Sequence, residues 1–139
     1  MLSLENFYFT GLSIKDLIGD INISPFSDQQ SEISFKSTGV SISNQTLDKV
    51  DVEISGNKNQ QSAQFTATKD QQQAQLKLQG KWLQDKWQGK ITQLMLSFPL
   101  LGDWELKQNQ IVSFSKTQID LQQVCLNRIK AKDSACLSA

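Results

Sequence analysis

Histidine is absent from this chain of 139 residues. That removes the commonest general base, the commonest metal ligand and the usual pH switch. Net charge is absent too, because 14 Lys and Arg balance 14 Asp and Glu. Sequence-independent nucleic-acid binding needs a cationic excess, so that class loses its driving force. No apolar run approaches the roughly 20 residues of a membrane-spanning helix. The seven glycines are isolated, so no phosphate-cradling loop is encoded. Two cysteines without histidine do not make a zinc site. Without histidine a Ser or Cys nucleophile would need a Lys or carboxylate base, and no spacing marks one. The carboxylates, such as Asp51, Glu53, Asp103 and Glu105, read as solvated strand faces and turns. An enzyme is therefore not expected, and no cofactor is implied.

The N-terminus, Met1-Leu2-Ser3-Leu4-Glu5, lacks the basic and apolar regions of a signal peptide and runs straight into a strand pattern. A segment of a longer protein is expected. Charged residues (20%) and hydrophobic ones (38%) are somewhat scarce, and Gln, Ser, Asn and Thr take their place. Such a surface suits a protein outside the cytosol.

What the chain does have is period-two alternation. Ile33 and Phe35 alternate with polar neighbours, as do Val40 and Ile42, and Val50, Val52 and Ile54. Leu76, Leu78 and Trp82 share one parity; Leu94, Leu96 and Phe98 follow, then Trp104 and Leu106, Val112 and Phe114, Ile119 and Leu121. Each strand thus has one greasy and one wet face. Ser13–Gly19 reads as a single helical turn or as a strand with a bulge, because the parity shifts between Ile14 and Leu17. Turn signals recur at Ser24–Asp28, Ser37-Thr38-Gly39, Ser43-Asn44-Gln45, Ser55–Asn59, Lys69-Asp70, Gln84-Asp85-Lys86, Leu101-Gly102-Asp103 and Asn109-Gln110. Pro25 and Pro99 fall at strand ends. The reading is a single all-β domain over 1–139, a long antiparallel meander of roughly nine or ten strands. So wide a sheet must curl, split into a sandwich or close. No charged residue falls on the inward parity of the strands above. Their apolar side chains either meet as a sandwich core or line a trough.

Cys125 and Cys136 stand eleven positions apart. A redox or nucleophilic thiol is weakened by the lack of a C-x-x-C spacing. The structural reading is a disulfide across the last hairpin, which implies an oxidising compartment. Of the three tryptophans, Trp87, between Lys86 and Gln88, is the candidate for exposure and for stacking on a sugar, whereas Trp82 and Trp104 read as core.

Gly80-Lys81-Trp82, Trp87-Gln88-Gly89-Lys90-Ile91, Leu94 and Leu96, Gly102-Asp103-Trp104-Glu105-Leu106, Val124-Cys125-Leu126 and Ala135-Cys136-Leu137 come in that order. The series resembles the TamB family of Gram-negative envelopes, within the AsmA-like group of bridge-type proteins. There a W-x-G-x-(I/L) strand leads to a G-x-W-x-L strand and two cysteines in C-L contexts follow. The resemblance covers roughly residues 76–139. Lys107-Gln108-Asn109 stand where family members often carry proline. The resemblance implies an internal or C-terminal-region segment of a periplasmic protein anchored in the inner membrane. It implies a taco-like half-pipe with an apolar concave face, movement of phospholipids between the membranes, and assembly of outer-membrane β-barrels with a TamA-like partner.

Three functions remain open at this point. A lipid groove would be lined by Val52, Ile54, Phe65, Leu76, Leu78, Leu96, Phe98, Trp104, Leu106 and Phe114 and would hold phospholipid acyl chains. A chaperone-like platform would pair its edge strands with a client, or with a second copy of itself. A carbohydrate-binding β-sandwich would use Trp87 and the surrounding glutamines.

Overall fold

Alternation makes strands, and turn chemistry decides where the chain reverses. The computed structural model describes residues 1–23 and 28–137, so four of the five residues of the turn expected at 24–28, Pro25 among them, lie outside the described residues. Among the described residues twelve antiparallel strands form one sheet. They are β1 (Leu2–Phe9), β2 (Leu12–Asn22), β3 (Ser31–Ile42), β4 (Gln45–Gly56), β5 (Gln61–Lys69), β6 (Gln72–Leu83), β7 (Lys86–Phe98), β8 (Gly102–Leu106), β9 (Gln110–Phe114), β10 (Ile119–Leu121), β11 (Val124–Arg128) and β12 (Ser134–Leu137). The first eight form a meander. β7 then forks: Met95–Phe98 pair with β8, and Trp87–Ile91 pair with β9. One branch continues through β11 to β12, the other ends at β10. The count exceeds the nine or ten expected, since β10 and β12 have three and four residues and are too short to display a period.

Ser43 and Asn44 both take positive φ (45° and 73°), which a two-residue hairpin loop of this hand requires. Ser37-Thr38-Gly39, expected to be a turn, is instead the interior of β3. Gly39 has φ 59° there, and Asn6 in β1 has φ 52°. Both residues drop out of the ladder while pairing resumes in register on either side. The seam changes which parity faces which way. Ser37 and Val40, three apart, are both buried. Across from them Val50 and Leu47 are both half-buried, with Asp48 and Lys49 exposed between. β2 shows the matching shift between Ile14 and Leu17, so that segment is a strand and not a helical turn. A Cβ at Gly39 would lie 2.8 Å from Cβ of Lys15, in a backbone conformation that L side chains avoid.

A second irregularity lies in β7. Lys77 pairs with Gln93 but Leu78 with Ile91, so Thr92 is an extra, bulged residue. The bulge keeps Trp87, Gly89 and Ile91 on the face that also carries Leu94 and Leu96.

Among the described residues no side chain is fully buried, and the buried apolar set is Val40, Trp87, Ile91, Val124 and Leu126. In a sandwich a facing sheet would seal the middle of the inner face. Here Val52, Phe65 and Leu76 stay half-buried at mid-sheet. The sandwich alternative is therefore corrected to a single open layer. The expected all-β antiparallel meander is present, but the expected curl into a taco-like half-pipe is corrected to a sheet that is neither closed nor strongly curled.

Candidate functional site: one apolar face

Directly opposed residues in antiparallel strands project to the same face. One row across the sheet runs Phe35–Val52–Phe65–Leu76–Leu94. Beside it runs Ile33–Ile54–Ala63–Leu78–Ile91. On the other side Ala74 pairs with Leu96, and Leu96 with Trp104. Leu106 opposes Leu126, Phe114 opposes Trp87, and Phe98 lies two residues beyond Leu96 in β7. The register thus brings all ten residues named for the lining to one face. Nine of them are half-buried and Phe114 is at the border of exposure.

The face has two open depressions. The first, of about 420 Å³, is lined by Ile33, Ile54 and Trp82 together with Ser31, Ser55, Asn57, Lys58 and Gln61. The second, of about 340 Å³, is lined by Leu47, Ala67, Ala74 and Phe98 together with Gln45, Thr68, Lys69, Gln72 and Gln73. Leu47 reaches this face only because of the seam at Gly39. Both linings combine apolar side chains with polar ones, as a site for an amphiphile does. Two cations sit on the same parity as the apolar rows, at the end of the strands: Lys69, opposite Gln72, and Arg128, opposite Trp104. Alternation did not single them out, because β5 ends and β11 is short. Lys69 Nζ donates to Gln45 Oε1 at 3.3 Å, and Arg128 pairs with Asp133 at 3.3 Å.

The tryptophans are arranged the other way round from the sequence reading. Trp87 is 6% exposed and Trp82 is 49% exposed. The Trp87 ring covers the Gly80–Gly89 cross-strand pair: a Cβ at Gly80 would lie 2.5 Å from its Cζ2, and one at Gly89 2.4 Å from its Cη2. It also stacks on Phe114, with centroids 4.9 Å apart and an 18° tilt, and its Nε1 donates to Gln61 Oε1 at 3.1 Å. A ring so covered offers no sugar platform. The signal was present in Trp87-Gln88-Gly89, since a glycine two residues on shares the face and leaves room for the ring. Trp82 meets Phe114 edge-on at 6.0 Å.

On the opposite face Cys125 and Cys136 are directly paired between β11 and β12 and form the disulfide, closing the last hairpin. The polar cluster nearest the fork is Asp120, which accepts from Lys86 Nζ at 3.1 Å, from Ser113 Oγ at 3.4 Å and from Gln118. The hydrogen bond from Lys86 is the main reason that its carboxyl titrates below the ordinary aspartate value, with Gln118 next.

A family model described as the TamB N-terminal domain matches residues 1–138. No curated protein and no solved structure compared with the chain gave a match. The family match extends well beyond residues 76–139, on which the sequence resemblance rested. It also describes the N-terminal domain, not the internal or C-terminal region expected. Of the motifs behind that expectation, Trp87-Gln88-Gly89 is a packing motif, with the ring laid over glycines of its own face. Matched over nearly its whole length, the chain belongs to the TamB N-terminal domain family.

Proposed function

We propose that this chain is a shallow segment of a half-pipe that conducts phospholipids across the periplasm, within a longer protein anchored in the inner membrane. The observation that carries the reading is the contiguous apolar face, which the sheet leaves uncovered by any second layer. Val52, Ile54, Phe65, Leu76, Leu78, Leu96, Phe98, Trp104, Leu106 and Phe114 would touch acyl chains, and head groups would remain at the wet rim. Membership of the TamB family supports this reading, and supports a TamA-like protein of the outer membrane as partner of the full-length chain. In this role the protein is not an enzyme. The Cys125–Cys136 disulfide suits an oxidising periplasm.

Native mass spectrometry of the purified chain tests the lipid directly, and bound phospholipid is expected. Leu96→Asp and Leu106→Arg test the face. An ion sealed in a packed core costs several kcal/mol. On a half-buried face the charge reaches water, so a loss of only about 1–2 kcal/mol is expected. Lipid transfer by full-length protein carrying either change should fail while the fold survives. A folded variant with unimpaired transfer sinks the groove.

A second reading, strand pairing with a client protein, is favoured by β1, whose eight residues are all exposed, with Phe7, Tyr8 and Phe9 41%, 76% and 67% exposed. Binding of an extended client peptide that an added β1 peptide displaces would support it.

A further inference from the structure

Hairpin tips are normally polar, and four two-residue reversals of this sheet are: Thr10-Gly11, Ser43-Asn44, Asp70-Gln71 and Gln84-Asp85. The β7–β8 reversal is Pro99-Leu100-Leu101, and its leucines are 93% and 61% exposed. Nothing in the fold explains leucines in water at that place, since Leu100 touches no core.

The tip is nonetheless held firmly. Trp104 Nε1 donates to the carbonyl of Leu101 at 3.1 Å, and Ser97 Oγ donates to Asp103 at 2.6 Å across the strand pair. Gly102 has φ 80° and lies against the Arg128 side chain, where a Cβ would be 3.0 Å from Nε. The neighbouring β11–β12 turn is tied to the same place, because the amide of Ile129 donates to the carbonyl of Asp103 at 2.7 Å. That turn carries Lys130 and Lys132, both exposed. Its acid, Asp133, is paired with Arg128, and the exposed Asp103 on the tip hairpin offsets one of the two lysines, which leaves an excess of one positive charge. On the next hairpin Asp70 is offset by Lys69. An apolar wedge therefore projects beside a small cationic patch, on a protein whose net charge is zero.

We propose that the Pro99–Leu101 tip docks on an anionic lipid bilayer, with Leu100 and Leu101 entering the acyl boundary and Lys130 and Lys132 meeting the anionic head groups. Apolar side chains at the interface beside cations held at head-group level are what such a surface selects. Phe98, at the base of the tip, also lines the depression formed by Leu47, Ala67 and Ala74, so docking would bring the end of the apolar face to the bilayer. The proposal does not depend on conduction along that face.

The test is co-flotation of the chain with vesicles, either of equal parts phosphatidylglycerol and phosphatidylcholine or of phosphatidylcholine alone. The wild-type chain should float with the anionic vesicles. The double variant Leu100→Asn/Leu101→Asn, whose thermal melt should be unchanged, should need at least tenfold more lipid for half-binding. Lys130→Gln/Lys132→Gln should abolish the preference for phosphatidylglycerol. Leu96→Asp should still float, which separates this proposal from the groove. A wild-type chain that stays at the bottom of the gradient overturns docking. So does an asparagine variant that floats as well as wild type, which would give binding to the open face. Loss in that variant of a dimer formed without lipid, with no flotation by wild type, also overturns it and assigns the tip to a second copy.

Discussion

A single carboxylate shows how the fork in the sheet is held. Asp120 in β10 accepts from Lys86 of β7 and Ser113 of β9, so three strands meet on one side chain. Its pKa is lowered on folding, chiefly by the Lys86 hydrogen bond. The stability it contributes is thus present above the ordinary aspartate value and is lost as pH falls through the lower, folded-state value. A carboxyl NMR titration should place its midpoint below 3.8, and Lys86→Met should raise it. An unshifted midpoint would remove this account. Gly80 is as informative. A methyl group there would meet Trp87 Cζ2 at 2.5 Å and the carbonyl oxygen of Gln88 at 2.4 Å. Gly80→Ala should cost about 1–3 kcal/mol in denaturant unfolding, as overpacking does. It should also disturb the Trp87–Phe114 stack, which near-ultraviolet circular dichroism would report.

Among the elements, β12 depends most on a covalent bond. It has four residues, all exposed, and pairs only with β11. The disulfide closes a loop of sequence separation 11. In the chain-entropy model such a loop is worth about 3 kcal/mol. Cys125→Ala should lower stability by about 2–4 kcal/mol. Reduction should release β12 first, seen as loss of amide protection at residues 134–137 before the meander opens. Quantitative thiol reaction of the folded, non-reduced protein would contradict the bridge. The seam through Asn6 and Gly39 belongs to this scale too. It joins two apolar stretches of opposite parity, so a strand that reads as broken in the sequence is continuous in space.

At the scale of the molecule, a one-layer sheet leaves two things unsatisfied: a face and its edges. Among the described residues β1, β12 and β10 each lack a partner strand on one side, and unpaired edges template further pairing. The isolated chain should self-associate as its concentration rises, which sedimentation equilibrium will detect. A strict monomer at millimolar concentration would show that the exposed aromatics of β1 do not drive pairing. In a longer protein of the same architecture, those edges are where the sheet would continue.

Residue pattern alone determined a good deal of this. Local sterics make alternation extended, and Ser43-Asn44 or Gln84-Asp85 reverse it, so the all-β meander and its one greasy parity were legible. So was the Cys125–Cys136 bridge, since two cysteines near a last hairpin offer one pairing. The tertiary structure decided what local pattern does not encode. The fork at β7, the Thr92 bulge and the shift at Gly39 depend on which strands meet and in what register, and register is a long-range property. Burial is long-range as well. Trp87 flanked by Lys86 and Gln88 looks exposed along the chain, yet it lies over two glycines contributed by neighbouring strands. Trp82, on the same parity as Leu78, looks like core, but it stands at the end of a strand where the sheet has no layer above it. Leu100 and Leu101 are apolar in any reading. That they point into solvent follows only from the geometry of the hairpin that carries them.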